Sequence, residues 1–525
     1  MSVTVDTPLT LAPFRNEPYA DFKIPETAAR MRDALAKVHA QLGREYDLLI
    51  GGEKRKSQAK LLSLNPSKPS EIVGIHQKAT EQDARDAVES AYAYFPTWAG
   101  LSCEERVHYL LQAAEILRKR KFEFDAWLVL EAGKTWSEAE ADVSEAIDFC
   151  EYYARQALKL ARPQELLQLP GEHDEMVYLP LGVGIVIPPW NFPLAILTGM
   201  TTAALVVGNT VVIKPSSDTP TIAAKFAEVL LEAGFPAQSF SFLTGSGGEI
   251  GDTLVLHPKT RFISFTGSRD VGLRINELAA KTPKGQLWIK RTIAEMGGKD
   301  AIIVDRECNL DRAIEGVVQS AFGYQGQKCS ACSRAIVDEA VYDEFLAKLK
   351  DKVEQLRVGP AEVPDNDMGP VINARARENI LRYIEIGKHE GRLITGGSPA
   401  PGEGYFLQPT VIADVAPKAR IFQEEIFGPV LAVAKAKNFD HALELANDSE
   451  YGLTGSVYTH NREKIEKAKR LFFVGNLYIN RKCTGAMVGA HPFGGFNMSG
   501  TDSKAGGPDY LLQFVQAKSI AEKIA

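Results

Sequence analysis

Apolar side chains near the start of the chain recur at helical spacing. Met31, Leu35, Val38 and Leu42 are three or four positions apart, which places them on one face of an α-helix. We therefore predict an amphipathic helix within an N-terminal helical arm that spans residues 1–46. The pattern alone assigns no role to this arm.

The next part of the chain changes from short apolar runs to longer amphipathic ones. Between residues 46 and 75, apolar runs are interrupted by GGEKRKS and NPSKPS, a pattern typical of strands and turns. Three helical stretches follow, at about 80–96, 103–120 and 122–134. Thr80 and Asp83 open the first of them, where their side-chain oxygens can accept hydrogen bonds from unpaired backbone amides.

Residues 176–213 contain no Asp, Glu, Lys or Arg, and this run is longer than the ~20 residues that a membrane-spanning helix needs. However, the segment PPWNFP at 188–193 interrupts the run with prolines and an asparagine. Because proline removes a helical hydrogen bond and clashes with the preceding turn, the run must divide into shorter elements. We predict a buried strand at GVGIVI, a buried helix at LAILTGMTTAALVVG and a second strand at TVVIK.

Strand-like and helix-like stretches alternate over most of the remaining chain. One alternation runs from 176 to about 300, and a second starts near Ala301 and continues to about 480. This order is typical of parallel sheets whose strands are joined by crossover helices, so the sequence predicts an α/β protein. The tail GGPDYLLQFVQAKSIAEKIA has a strand-like pattern, and we expect it to add an edge strand to a neighbouring sheet or subunit.

Composition narrows the class of protein. The chain has 525 residues, of which 45% are hydrophobic and 24% are charged, as in ordinary soluble proteins. A net charge of −7 and the lack of a clustered Lys/Arg stripe argue against a nucleic-acid-binding protein. The six scattered cysteines do not suggest a disulfide scaffold, and the first residues lack the regions of a secretory signal. We therefore expect a cytoplasmic protein with free thiols and no membrane insertion.

The motif Cys329-x-x-Cys332 in GYQGQKCSAC allows three interpretations. A structural zinc site needs four ligands, and no second CxxC supplies the missing two, so no metal site is predicted. A thioredoxin-like pair is expected where a strand meets a helix, whereas this pair follows a helix-like run that ends in two glycines. These glycines indicate that the backbone bends or closely approaches another group before Cys329. As a nucleophile, Cys329 needs a base or a positive environment. Glu295, in EMGGKDAIIV, is a candidate base, although spacing alone favours an ordinary loop residue.

Two glycine-containing loops follow predicted strands. LTGSGGEIG carries glycines at 245, 247, 248 and 251, which misses the usual dinucleotide fingerprint by one position. FTGSRDVG places Ser268 at the start of a helix, where unpaired amides can bind phosphate. Together the two loops indicate a nucleotide-binding sheet with an unusual loop.

Several segments carry motifs that occur together, in this order, in one enzyme family. They are PWNFP (189–193), VVIKPSS (211–217), FTGS (265–268), EMGGK (295–299), GQKCS (326–330), EEIFGPV (424–430) and PFGGF (492–496). The chain thus resembles the aldehyde dehydrogenase superfamily over nearly its whole length after residue 46. GYQGQKCSA, GNLYINRKCTGAMVG, ARIFQEEIFGPV and NEPYADF are similar to a bacterial branch that oxidises L-glutamate γ-semialdehyde to glutamate in proline breakdown. The alternatives are a dehydrogenase of another semialdehyde or, outside the family, a cysteine-pair redox protein.

This resemblance implies a domain organisation. It implies a Rossmann-like cofactor-binding domain at 47–162 and 183–297 and an α/β catalytic domain at 298–491. Segments 163–182 and 492–525 would form a small β element for bridging or oligomerisation. It further implies a homo-oligomer that acts on a small-molecule substrate and transiently contacts proline dehydrogenase.

The resemblance also implies the roles of individual residues. Cys329 would attack the aldehyde, Asn191 would hold the developing oxyanion, and Glu295 would activate water. The residues expected to bind the cofactor are Trp190, Lys214, Ser217, Gly245, Ser268, Gly297 and Glu425. Those expected to bind the substrate are Ser330, Gly485 and Ala486 at its carboxylate, and Phe192 and Phe493 beside its aliphatic chain.

Two positions depart from the family pattern. Many members that prefer NAD have Glu at the position of Ser217, where a carboxylate would repel a 2′-phosphate. NAD is therefore the expected cofactor, and Ser217 leaves acceptance of NADP open. Cys332 replaces a small non-thiol residue, and we interpret it as a packing residue, so that the CxxC is coincidental.

Overall fold

The computed structural model describes residues 11–524 of the chain. Its α-helices are α1 (Pro25–His39), α2 (Glu81–Ala99), α3 (Cys103–Lys119), α4 (Lys121–Ala132), α5 (Trp136–Leu160), α6 (Ala195–Val206), α7 (Pro220–Glu232), α8 (Asp252–Leu256), α9 (Arg269–Ala280), α10 (Leu310–Phe322), α11 (Tyr342–Glu354), α12 (Ala374–Glu390), α13 (Arg420–Gln423), α14 (Phe439–Asn447) and α15 (Arg462–Leu471). Thr80 and Asp83 form the predicted N-terminal cap of α2, each side chain bonding to the other residue's backbone N–H.

The strands are short and lie mostly between these helices. They are β1 (Arg44–Tyr46), β2 (Leu48–Ile50), β3 (Glu53–Arg55), β4 (Lys60–Asn65), β5 (Lys68–Gln77), β6 (Glu172–Pro180), β7 (Val183–Ile187), β8 (Thr210–Ile213), β9 (Phe240–Phe242), β10 (Thr260–Thr266), β11 (Arg291–Glu295), β12 (Asp300–Val304), β13 (Cys332–Asp338), β14 (Arg392–Thr395), β15 (Thr410–Ala413), β16 (Val430–Ala436), β17 (Tyr451–Gly452), β18 (Thr454–Tyr458), β19 (Asn476–Ile479), β20 (Phe496–Asn497) and β21 (Val515–Lys523). The predicted alternation of strands and helices is confirmed.

The first large sheet has the strand order β11-β10-β7-β8-β9-β2-β3. β7 to β11 pair in parallel, and β2 and β3 extend the sheet in the antiparallel direction. Along β7, Val183 and Ile185 pack towards α2, α8 and α9, whereas Val186 packs towards α6 and α7 on the other face. The uncharged run 176–213 therefore divides into two strands and a helix, as its prolines predict. No helix in residues 11–524 is both long and apolar enough to span a membrane.

The second large sheet has the order β14-β15-β16-β13-β12-β18-β19. All its pairs are parallel except β14 with β15. Ala301 and Ile303 face α12 and α14, while Ile302 and Val304 face α10 and α11. Both faces of the sheet are therefore buried, as parallel sheets require.

The strand-like tail forms an antiparallel ribbon with β6, in register from Val515 opposite Pro180 to Lys523 opposite Glu172. The predicted strand is thus confirmed, but the tail enters the ribbon only at Val515, later than the predicted 492–525 element. Residues before β21 pack elsewhere because their hydrogen bonds go to other elements: β20 pairs with β17, and Thr501 N donates to Ala294 O in β11.

The N-terminal arm contains the predicted helix α1. Met31, Leu35 and Val38 are buried in a core that includes residues of α4. Leu42 lies past the end of α1 and is half-buried. The last part of the arm forms β1, which pairs in parallel with β5. Residues 1–10 of the predicted arm and Ala525 of the predicted tail lie outside the described residues.

Candidate active site

The residues predicted to bind the cofactor follow the carboxyl ends of neighbouring parallel strands. They are Trp190 after β7, Lys214 and Ser217 after β8, Gly245 after β9, Ser268 after β10 and Gly297 after β11. Because parallel strands end at one edge of a sheet, these residues share that edge. Open α/β sheets bind ligands at this edge.

The turn after β8 is joined to the glycine loop after β9. Ser217 Oγ donates a hydrogen bond to Gly245 O at 3.3 Å. Lys214 is 5% exposed, and its Nζ donates to Pro215 O at 3.2 Å. Burial lowers the pKa of this lysine to about 8. A hydrogen bond to a hydroxyl group, such as one of a ribose, would therefore stabilise its ammonium.

Glu425 enters the same region from the second sheet. Its Oε1 accepts a hydrogen bond from Gly298 N at 3.1 Å, and burial raises the pKa of its carboxyl to about 7. A Cβ at Gly297 would collide with this carboxylate and force the Glu425 side chain to move. The loop after β11 and the loop before β16 therefore approach each other closely at Gly297.

These residues fit a dinucleotide. A Cβ at Gly247, Gly248 or Gly251 would meet open space, so the backbone of this loop is accessible to a large group. Ser268 precedes α9, and its hydroxyl caps no backbone amide of that helix. The indole ring of Trp190 packs edge-on against Phe427, with the ring centroids 5.4 Å apart. The set provides hydroxyl, lysine and carboxylate groups for phosphates and ribose hydroxyls.

The nucleophile candidate follows an unusual turn. Tyr324 and Gln325 have φ values of 48° and 57°, and Gly326 continues the left-handed run with 68°. The strained turn is held in place because Tyr324 Oη donates to Ala132 O at 2.8 Å and Gln325 Nε2 donates to Pro370 O at 2.7 Å. A Cβ at Gly326 would clash with backbone, which confirms the close approach predicted from the glycines.

Cys329 lies between this turn and β13. Burial, followed by the nearby carboxyls of Asp300, Glu425 and Glu295, raises the pKa of its thiol. The thiol is therefore neutral at pH 7 and must lose its proton to a base when it attacks. Asn191 lies beside the same turn, where its Nδ2 donates to Gln327 O at 3.0 Å. This bond fixes an amide donor next to the nucleophile.

Cys332 lies in the core between the second large sheet and helices α10 and α11. It is 1% exposed, and its Sγ donates to Arg334 O at 3.4 Å. Its packing neighbours include Cys483 rather than Cys329, and all three thiols are free. The position fits the interpretation of Cys332 as a packing residue.

Glu295 is the last residue of β11 and lines the same cavity as Cys329. Its Oε1 accepts hydrogen bonds from Ser503 Oγ at 2.5 Å and from Ser503 N at 3.3 Å, while Oε2 has no hydrogen-bond partner within residues 11–524. Burial raises the pKa of Glu295 to about 7, although the bonds from Ser503 oppose the shift. One oxygen is therefore held while the other is available to a water molecule.

Ser503→Ala should raise the pKa of Glu295 further, because the variant removes a hydrogen bond that stabilises the carboxylate. We expect the acidic limb of the pH–kcat profile to move by about one unit to higher pH, with little change at alkaline pH. Steady-state kinetics across pH checks this. In a Glu295→Gln background Ser503→Ala should leave the profile unaltered, and a limb that does not move in the single variant would contradict the role of Ser503.

A cavity of about 390 Å³ brings Cys329 and Glu295 together with the predicted substrate residues. Its lining includes Cys329, Glu295, Ser330, Phe192, Gly485, Ala486 and Phe493. The predicted cofactor-binding residues and Asn191 do not line this cavity. The arrangement gives a candidate substrate chamber that contains the nucleophile and reaches the carboxyl ends of β10 and β11 through Thr266 and Met296.

Charged side chains that sequence reasoning missed also line the cavity. Glu138, on α5, and Lys328 form an ion pair at 2.7 Å, and Lys482 lies close by. Burial alone would raise the pKa of Glu138, but Lys328 and Lys134 outweigh it and hold the pKa below its usual value. The position of Lys328 directly before Cys329 is the one sequence feature that could have identified it as a residue of the site. Nothing in the sequence around Glu138 distinguishes it from other acidic helix residues.

The aromatic side of the cavity is built around a buried cation. Lys134 Nζ lies 3.8 Å from the ring centroid of Phe192 and 4.2 Å from that of Tyr324. Its counter-ion is Asp142, at 3.3 Å, which also accepts a hydrogen bond from Ala195 N. Phe192 is therefore held by a cation–π contact in addition to ordinary packing.

Comparison with known proteins gives a consistent result. The model of the aldehyde dehydrogenase family matches residues 54–520. 1-Pyrroline-5-carboxylate dehydrogenase of Geobacillus thermodenitrificans (strain NG80-2) is 58% identical over 510 residues, which cover 97% of this chain and 99% of that protein. Among solved structures, 1-pyrroline-5-carboxylate dehydrogenase from Thermus with bound NAD is 53% identical, with a TM-score of 0.97, covering 98% of this chain and 100% of that chain.

A longer protein contains a similar region. Proline utilization A from Bdellovibrio bacteriovorus is 44% identical, with a TM-score of 0.96, and the match covers 98% of this chain but 54% of that chain. The predicted α/β architecture and the resemblance are confirmed by these matches. The chain belongs to the aldehyde dehydrogenase family.

Proposed function

We propose that this protein oxidises L-glutamate γ-semialdehyde, the open form of 1-pyrroline-5-carboxylate, to L-glutamate with NAD as the hydride acceptor. The observation that carries the proposal is the composition of one cavity. Cys329 and Glu295 lie in it together with the Glu138–Lys328 ion pair and the Gly485–Ala486 backbone. The substrate has matching parts, since it is an aldehyde that carries an ammonium and a carboxylate. The names of the similar proteins agree with this choice.

The first step is attack by the Cys329 thiol on the aldehyde carbon. The thiol proton leaves to solvent water as the S–C bond forms, so the Glu295 carboxylate stays free to act as the base in the later hydrolysis. The aldehyde oxygen becomes an oxyanion, which the Asn191 amide and the Cys329 N–H would stabilise. The product is a thiohemiacetal on Cys329.

A bound nicotinamide dinucleotide supplies the hydride acceptor for the oxidation. Lys214, Ser268 and Glu425 would hold it at the edge of the first sheet. Loss of the hydride converts the thiohemiacetal to a thioester on Cys329. Glu295 then takes a proton from water through its free Oε2 as the water oxygen attacks the thioester carbon. The C–S bond breaks to release the carboxylic acid, and Glu295 returns its proton to the departing Cys329 sulfur.

Substrate selection would depend on charge at the far end of the cavity. The Glu138 carboxylate suits the substrate ammonium, while Ser330 and the backbone N–H groups of Gly485 and Ala486 suit its α-carboxylate. Phe192 and Phe493 would flank the aliphatic chain between the two ends. An uncharged aldehyde would leave these polar groups without partners, which costs affinity.

The proposal is tested by reduction of NAD⁺ by the purified protein. We expect kcat/KM for L-glutamate γ-semialdehyde to exceed that for butanal by about 100-fold or more. Comparable values for the two aldehydes would contradict the proposed substrate and leave another aldehyde as the candidate.

Ser217→Glu should separate the two dinucleotides. Ser217 contacts the Gly245 loop through its hydroxyl, and a carboxylate at this position would repel a 2′-phosphate. We expect kcat/KM for NADP⁺ to fall by roughly 10- to 100-fold while the value for NAD⁺ changes little. Initial rates with each cofactor check this, with Ser217→Gln as the uncharged control. An equal loss for both cofactors would contradict the assignment.

The wider setting is also part of the proposal. A homo-oligomer fits the exposed apolar side chains on the β6–β21 ribbon, such as Val177 and Leu179. A cytoplasmic location fits the free cysteines. Transient contact with a proline dehydrogenase, which would supply the substrate, fits the similarity to part of proline utilization A.

A further inference from the structure

The segment that precedes α1, residues 11–23, lies against the wall of the substrate cavity, and we name it the strap. We propose that the strap positions the loop 485–491 and so determines affinity for the charged end of the substrate, with Asn16 as the positioning residue. The inference rests on the proposed function, because it assumes that Gly485 and Ala486 bind the α-carboxylate.

One side of the strap is hydrogen-bonded to two carboxylates of α5. Glu140 Oε1 accepts from Ala20 N at 2.7 Å, and Asp148 Oδ1 accepts from Glu17 N at 2.6 Å. The two acidic residues are about two helical turns apart and therefore lie on one face of the helix. The strap thus follows α5 in an extended conformation, and its backbone is bound directly by carboxylates.

Basic side chains hold the strap from the same side. Arg155 Nε donates to Ala12 O at 2.8 Å, and Lys121 Nζ donates to Pro18 O at 2.9 Å. Lys121 also pairs with Glu140 at 2.5 Å, so the lysine and the carboxylate bind neighbouring backbone groups of the strap. Hydrogen bonds to charged groups are stronger than neutral ones, so the segment is firmly seated.

The other side of the strap contacts the loop. Asn16 Nδ2 donates to Asp148 Oδ2 at 2.7 Å and to Val488 O at 3.0 Å, which joins α5 to the loop through a single amide. Tyr19 Oη donates to Met487 Sδ at 3.4 Å. Asn16 and Val488 are 472 positions apart in the sequence, so this contact depends entirely on the fold.

The loop is joined to the rest of the fold near its two ends, where Arg481 Nη2 donates to Gly485 O at 3.0 Å and Gly489 N donates to Gly506 O at 2.9 Å, and the Asn16 bond adds a contact at Val488 between them. It contains no regular helix or strand, and Gly485 and Gly489 have φ values of 75° and 79°. Several of its residues line the cavity, and these are Gly485, Ala486, Met487, Val488 and His491. A Cβ at Gly489 would press against the ring of Phe14 in the strap. A loop of this kind needs an external support if its backbone is to bind a ligand in one geometry.

The strap is separate from the reacting groups. Cys329 and Glu295 are held by the turn before β13 and by Ser503, and among the strap residues Tyr19 alone lines the cavity. Loss of the Asn16 amide should therefore weaken binding of the charged end of the substrate without slowing the chemical steps.

The test compares Asn16→Ala with Arg15→Ala, an exposed neighbour in the same strap. Each enzyme is assayed with L-glutamate γ-semialdehyde and with butanal, which lacks the amino-acid end. For Asn16→Ala we expect KM for the semialdehyde to rise about tenfold, with kcat and the kcat/KM for butanal unchanged. We also expect faster hydrogen exchange at residues 485–491. Arg15→Ala should match the wild type in every measurement.

Several results would overturn the proposal. An unchanged KM for the semialdehyde in Asn16→Ala would do so, as would an equal loss of kcat/KM with both aldehydes, which indicates a general loss of stability. If the wild-type enzyme does not prefer the semialdehyde, the proposed function fails. Hydrogen exchange then tests by itself whether the strap positions the loop. Faster exchange at 485–491 in Asn16→Ala alone supports the strap, and unchanged exchange rejects it.

Discussion

Cys329→Ala is expected to abolish aldehyde oxidation, with kcat/KM reduced by roughly 10⁴-fold or more. The Cys329 thiol lines the cavity, and alanine leaves the aldehyde carbon without a covalent partner. Loss of the thiohemiacetal also removes the charge that the oxyanion donors would stabilise. The rate of NADH formation with L-glutamate γ-semialdehyde measures the effect.

The matched control is Cys332→Ala, three positions along in the same motif. Cys332 is buried in the core between the second large sheet and helices α10 and α11, so we expect nearly full activity and a loss of about 1 kcal/mol in the free energy of unfolding. This pair of variants distinguishes a single nucleophile at Cys329 from a redox pair formed by Cys329 and Cys332. Activity that survives in Cys329→Ala, or that disappears equally in a well-folded Cys332→Ala, would exclude Cys329 as the sole nucleophile.

Glu295→Gln is expected to lower kcat by roughly 10²- to 10⁴-fold, because the variant removes the base that activates water. Glutamine keeps the shape of the side chain and can still accept a hydrogen bond from Ser503, so the cavity should be preserved. Hydride transfer precedes hydrolysis, and the first turnover should therefore still release about one NADH per active site. A rapid-mixing experiment measures this burst, and its absence in a variant that binds cofactor normally would place Glu295 before the oxidation.

The same residue should set the acidic limb of the pH–rate profile. Its pKa is raised to about 7 by burial, so the carboxyl is protonated, and inactive as a base, below that pH. Wherever hydrolysis limits the rate, we expect kcat to fall about tenfold for each pH unit below 7. Glu295→Gln should lack this limb. A limb that persists in the variant would assign the titration to another group.

Local patterns predicted the parts of this protein that depend on neighbouring residues in the sequence. The prolines at 188–193 correctly indicated that the uncharged run divides into strands and a helix, and Thr80 correctly indicated the start of α2. The glycine before Cys329 correctly indicated a close backbone approach. The motifs that surround Cys329 and Glu295 identified the family, and the fold brings both residues to one cavity.

Long-range contacts could not be predicted in this way. Ser503 binds Glu295 from 208 positions away, and no local pattern separates Ser503 from the rest of the predicted 492–525 element. The sequence pattern of the long helix α5 suggests an exposed position for Glu138. In the fold, α5 packs beside the substrate cavity and Glu138 lines it. Asn16 depends on two partners that are both remote in the sequence. Such residues carry ordinary side chains, and only the folded geometry reveals their roles.

The most direct test of the mechanism is to trap the thioester. Glu295→Gln is mixed with NAD⁺ and L-glutamate γ-semialdehyde, quenched in acid within the first turnover and digested for peptide mass spectrometry. We predict a mass increase of one acyl group on Cys329, in an amount equal to the NADH released. NADH formation without acylation of Cys329, or with the acyl group on Cys332, would contradict the proposed covalent mechanism.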